Sequence, residues 1–172
     1  MSDIIRVTVC QLDTRDGFRA AAFDALAVHV TESQPTVLLL PELPFSPWLA
    51  GDREIDPRRW QRSVKQHDSA IAELGRLRTD AVVASRSTPN RKNQAFTWSR
   101  VTGPLRTRDK YYLPDEEGYW EASWYDRGEQ RFPSARVGKA RAWESLSAPK
   151  CGSWNGRATT PAAASRCCVF HE

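Results

Sequence analysis

The sequence predicts an α/β domain, and two observations carry that prediction. Segments with strand character alternate with segments of helical period, in the order strand, helix, strand, helix, strand, which is the pattern that builds sheets covered by helices. Within that alternation, Val37-Leu38-Leu39-Leu40 is a run of aliphatics with no polar residue between them. Such a run reads as a strand buried on both faces. A third observation limits the prediction: from about Lys139 the text changes, and the alternation stops.

Taken in order, Ile4 to Leu12 reads as a strand with Ile5, Val7 and Val9 on one face. Phe18, Ala21, Ala22, Ala25, Leu26, His29 and Val30 then recur at helical spacing and form one stripe of an amphipathic helix. His29 on this stripe reads as a packed helix histidine. The buried strand Thr36–Leu40 follows, and Pro41, which cannot donate to a sheet ladder, marks its limit. After the loop from Pro44 to Pro57 comes a second helix with Trp60, Val64, Ile71, Leu74 and Leu77 on its inner face. Ala81–Ser85 is the next strand, Pro89-Asn90 a turn, and Gln94–Val101 the strand that returns from it. A short strand from Leu105 delivers Lys110, and an aromatic, acidic loop occupies Tyr111 to Arg127. Beyond Arg141 there is one leucine, one valine and no isoleucine, so no period of either kind survives. The tail reads as disordered or poorly packed.

Composition narrows the function classes. Forty per cent hydrophobic and 27% charged residues are ordinary for a soluble globular chain, and 172 residues amount to one domain. No apolar run approaches the roughly 20 residues of a membrane span, and residues 1 to 10 lack the design of a signal peptide, so the expected location is the cytoplasm. The net charge of +4 comes from interspersed residues with no basic block, which argues against a nucleic-acid partner. The cysteines are Cys10, Cys151, Cys167 and Cys168. No CxxC occurs among them, so a metal site is not expected.

Glu42 stands just past the end of the buried strand, where open α/β sheets gather their ligand sites, and Lys110 follows another strand. Each alone has a dull explanation as a solvated charge. Together with their neighbours they carry more. Val7-Thr8-Val9-Cys10-Gln11-Leu12, Leu38-Leu39-Leu40-Pro41-Glu42 and Arg108-Asp109-Lys110-Tyr111-Tyr112-Leu113-Pro114 resemble three successive motifs of the nitrilase superfamily of carbon–nitrogen hydrolases. The resemblance spans about Ile4 to Gly138. It implies residues 4–140 as the N-terminal part of such a domain, and hence an incomplete α–β–β–α sandwich. The implied activity is hydrolysis of a small amide, carbamoyl amine or nitrile by a Cys–Glu–Lys mechanism without a cofactor, in a family that usually forms homo-oligomers. Glu42 matches the base, Lys110 the cation at the tetrahedral intermediate, and Glu117, in Glu117-Gly118-Tyr119-Trp120, the second glutamate that braces the lysine. Trp48, Trp120 and Trp124 read either as an aromatic pocket lining or as core. Two other readings stay open: a non-catalytic subunit that pairs with an intact relative, and a basic anion- or nucleic-acid-binding module.

The nucleophile is missing. The resemblance places it some forty residues after the lysine, in a context like G-x-x-x-C-x-E. Cys151 has about that distance but follows Pro149, which opposes a central strand, and no acid stands where the pattern has one. Reading residues 141–172 one nucleotide out of step, with the last base of each codon joined to the first two of the next, gives a better fit. Trp143–Glu144 then forces Gly, Ser147–Ala148 permits Cys, Pro149–Lys150 permits Glu, and Trp154–Asn155 forces Glu. The hypothesis is a shift of frame between about Lys139 and Ala142, leaving 141–172 as an aberrant tail and the chain inactive as written. Sequencing of the coding DNA checks this: codons at Ser147–Ala148 should read TGC across their boundary, and any other reading there ends the hypothesis.

Overall fold

The computed structural model describes residues 5–15, 20–131 and 133, with the backbone of Cys167–Phe170. Its strands are β1 (Val7–Cys10), β2 (Val37–Leu39), β3 (Ala81–Ser87), β4 (Asn93–Ser99), β5 (Gly103–Asp109) and β6 (Cys167–Phe170). The helices are α1 (Ala20–Ser33), α2 (Pro57–Glu73), extended by a 3-10 turn over Leu74–Arg76, and the short α3 (Glu121–Trp124). The strands form one mixed six-stranded sheet in the order β5-β4-β3-β2-β1-β6. The predicted α/β alternation is therefore the observed one. β1, β2 and β3 run parallel, joined through α1 and α2, while β3, β4 and β5 form an antiparallel meander.

Both long helices lie on one face of the sheet, and register shows which side chains meet them. Leu38 pairs with Val82 and Val82 with Trp98, while Ala84 pairs with Phe96. These residues pack in one core with Phe23, Leu26 and Val30 of α1 and Ala70 and Ile71 of α2. A helix packs through positions three and four apart, and α1 buries the stripe Phe23, Leu26, Val30 rather than the stripe through Ala21, Ala22 and Ala25, which are exposed. The larger Phe23 removes more apolar surface from water than any of those alanines. His29 is half-buried. α2 begins where Asp56 accepts a hydrogen bond from Arg58 N, with Pro57 in its first turn, a pairing of cap and proline that starts helices.

The opposite face carries Val9, Leu39, Val83, Thr97 and Leu105 in one cross-strand row. Ile5, Val7 and Val9 share this face, as expected of a strand, but among the described residues it carries no helix, and Ile5 and Val9 remain 43% and 39% exposed. Thr8 and Cys10 are the β1 residues buried in the core. At the edge, β6 pairs antiparallel with β1, from Val7↔Phe170 to Cys10↔Cys167. The tail therefore contains a strand that the sequence reading did not predict. An unpaired edge offers a row of backbone donors and acceptors, and Cys-Cys-Val-Phe is an apolar segment able to take it. Residues 141–166, with Cys151, lie outside the described residues.

A polar seam runs between α2 and the sheet. Ser63 Oγ lies 2.9 Å from both Ser46 Oγ and Ser87 Oγ, and Ser87 Oγ lies 3.3 Å from the Tyr125 hydroxyl. His67, wholly buried, donates from Nδ1 to the Ser63 carbonyl at 2.8 Å. Burial, aided by the charge of Arg86, lowers its pKa from 6.5 to about 4 against the opposing pull of that carbonyl. The folded value lies below the unfolded one, so the stability from a neutral His67 is complete above pH 6.5 and is lost as pH falls toward 4. The full loss is about 3 kcal/mol. Urea midpoints measured from pH 7 to 4 should fall more steeply for the native chain than for His67→Gln; equal slopes would show that His67 does not contribute.

Candidate active site

Two charged side chains and one amide from distant parts of the sequence meet at one end of the sheet. Glu42 follows β2, Lys110 follows β5, and Asn93 opens β4. Because β4 runs against β3 and β5 against β4, all three stand at the carboxyl end of the parallel strands, where such folds place their ligand sites. Lys110 Nζ donates to Glu42 Oε1 at 2.8 Å and to Glu121 Oε1 at 2.9 Å. Asn93 Nδ2 donates to the same Glu42 oxygen at 2.6 Å.

Local structure aims these groups. A register shift between Ala95 and Phe96 lets Asp109 pair with Gln94, and bulges of this kind re-aim side chains at the ends of strands. Lys110 N then donates to Asn93 O at 2.8 Å, and Gly128 N donates to Lys110 O at 2.9 Å. A Cβ on Gly128 would stand 2.4 Å from the Asp109 carbonyl oxygen, so only glycine lets this segment close over the lysine's backbone. The tip of the β3–β4 hairpin grips the same segment, since Asp126 N donates to Arg91 O at 2.7 Å and Lys92 Nζ to Arg127 O at 2.7 Å.

The bracing contact expected of Glu117 is made instead by Glu121. Glu117 lies within the tight turn where Glu116 and Tyr119 pair and Gly118 takes φ +79°, and it is exposed. Glu121 opens α3, which is anchored by Trp120 N to Ala50 O and Ala122 N to Pro114 O. The missed signal was the second acid four residues on, beside Trp120 and Trp124. Asn93 was also missed: nothing in the spacing marks it.

Burial differs sharply across the cluster. The side chains of Glu42 and Lys110 are 43% and 29% exposed, and that of Glu121 only 2%. Burial pulls the Lys110 pKa down, but the carboxylates of Glu42 and then Glu121 outweigh it and hold the ammonium above its ordinary value. Burial raises the Glu121 carboxyl, the hydrogen bond from Lys110 opposes that, and the charge of Glu42 adds to the rise. Glu121 Oε2 is buried with no partner among the described residues. Of the tryptophans, Trp124 is core, donating to Asp52 O at 2.8 Å. Trp48 and Trp120 are half-buried and tie this loop to 48–53, with Trp48 Nε1 donating to Gly118 O at 3.1 Å.

Solved structures share this fold. An amidase variant from Nesterenkonia sp. AN1, which carries the product of Michael addition of acrylamide at its active-site cysteine, aligns with a TM-score of 0.61 at 21% identity, over 81% of this chain and 55% of its own. The carbon–nitrogen hydrolase from Helicobacter pylori G27 aligns at 0.56 and 16% identity, over 73% and 46%. The fold is that of the carbon–nitrogen hydrolases. A glutamine-dependent NAD+ synthetase from Acinetobacter baumannii aligns at 0.55 and 19% identity, over 73% of this chain and 24% of its own. The chain spans about half the length of the amidase and the hydrolase. No family model and no curated protein matches it. Among the described residues no helix is long and apolar enough to cross a membrane.

Removing one partner of a buried ion pair leaves the other charged and unpaired, at a cost of about 3–5 kcal/mol. Lys110→Met should therefore destabilise the fold by about 3 kcal/mol at pH 8. The deficit should shrink toward pH 5 as the stranded Glu121 takes up a proton. A deficit independent of pH in denaturant titrations would mean that Glu121 is not the group left unpaired.

Proposed function

We propose that this chain is part of a carbon–nitrogen hydrolase of the nitrilase superfamily acting on a small amide, carbamoyl amine or nitrile, and that it is inactive as encoded. The observation that carries the proposal is the Lys110 ammonium held between Glu42 and Glu121. A thiol needs a neighbouring base to become the reactive thiolate. Glu42, the more exposed carboxylate, takes that role, and in the second half of the reaction it would activate water. An ammonium has three donors. Two of those on Lys110 serve the carboxylates, and the third is left for the oxyanion that forms on the substrate. Glu121, in the role expected of Glu117, orients Lys110 from below. The thiol belongs to the out-of-frame reading of 141–172. Without it the pair has no covalent nucleophile, and loss of such a group removes nearly all catalysis in enzymes that act through one.

The sheet face that no helix covers among the described residues supports a second reading, a non-catalytic subunit that pairs with an intact relative. Exposed apolar faces of this kind mark association surfaces.

Purified chain should show no thiol-dependent hydrolysis of simple amides. Turnover abolished by Cys151→Ser would overturn the frame hypothesis and restore Cys151 as the nucleophile. Co-purification with a full-length relative, again without turnover, would favour the subunit.

A further inference from the structure

The structure assigns a positioning role to Ser85, through the backbone of Leu43. This inference rests on the reading of Glu42 and Lys110 as a working pair. Leu40 N makes the last ladder bond of its strand, to Val83 O at 3.0 Å. The chain then leaves the sheet at Pro41, and the next backbone N–H to reach β3 is that of Leu43, which donates to the Ser85 side-chain oxygen at 2.9 Å. Leu43 takes φ +48°. A leucine seldom adopts this left-handed conformation, because its Cβ crowds the backbone. The Ser85 hydroxyl holds it there, together with burial of the side chain beside Leu49, Trp60 and Leu113 in a second core and the interaction of the Leu43 backbone with buried His67.

The consequence falls on Glu42. Its backbone lies between the fixed ring of Pro41 and the peptide whose N–H is held by Ser85. That peptide's orientation sets the direction of the Glu42 side chain and so the 2.8 Å contact with Lys110. Without the Ser85 acceptor, Leu43 relaxes toward ordinary φ, the peptide turns, and the carboxylate swings away from the ammonium. Non-glycine residues in left-handed conformations cluster at functional sites for this reason. Ser85 touches neither reacting group and acts only through the backbone.

The test uses the full chain and reads the Lys110 side-chain ammonium by NMR, with hydrogen exchange at the Leu43 amide. In the native chain the ammonium signal should be retained and Lys110 should titrate above its ordinary value. Ser85→Ala and Ser85→Val should lose the signal and titrate lower, and the Leu43 amide should exchange about tenfold faster. Ser85→Thr, which keeps the hydroxyl and matches Val in shape, should behave as the native chain. If Val and Thr behave alike, or if Ala leaves signal and titration unchanged, the inference is overturned. Should Ala and Val fail to fold, the native Leu43 amide decides it: exchange at the rate of an exposed amide would mean that Ser85 holds nothing. A native Lys110 that already titrates at or below its ordinary value would instead overturn the functional reading beneath this one.

Discussion

Lys110 between two carboxylates is the interaction on which the rest of the site depends. A carboxylate as buried as that of Glu121 is costly unless it is paired, and the ammonium 2.9 Å away offsets that cost. The same ammonium is held charged by Glu42 on its exposed side. Removing the ammonium would leave the buried Glu121 carboxylate without its partner. The surrounding architecture places these groups with backbone rather than with long flexible side chains. A bulge in the β4–β5 ladder, a close glycine contact and a left-handed leucine each fix one part of it.

Much of this was legible in the sequence because it rests on patterns a strand cannot avoid. The aliphatic run ending at Pro41 located β2 and hence the acid beyond it, and Lys110 followed from the strand that delivers it. Glu121 was less legible. Its position depends on a four-residue helix and a tight turn, both too short to show periodicity, and Glu117 occupies an equally plausible place in the text. The face of β1 was legible as a face but not as an exposed one, because alternation does not say which side the helices take. The stripe of α1 shifted for a related reason: alanines satisfy a helical period without fixing which side packs, and Phe23 decided it.

The tail shows the limit from another direction. Its composition predicts no strand, yet Cys167–Phe170 pairs with β1. Pairing at an open edge uses backbone groups that every sequence carries, so composition predicts it poorly. The sheet's second face raises the same problem, since nothing in the described residues covers its apolar row, and the amidase and hydrolase that share this fold are about twice as long as the part that aligns.

Amide hydrolysis by the product of a frame-restored gene decides whether Glu42 and Lys110 serve a thiol. Restoring the frame after about Lys139 should produce thiol-dependent turnover, and Lys110→Met in that product should abolish it. No turnover from a soluble, folded product, or turnover indifferent to Lys110, would show that they do not.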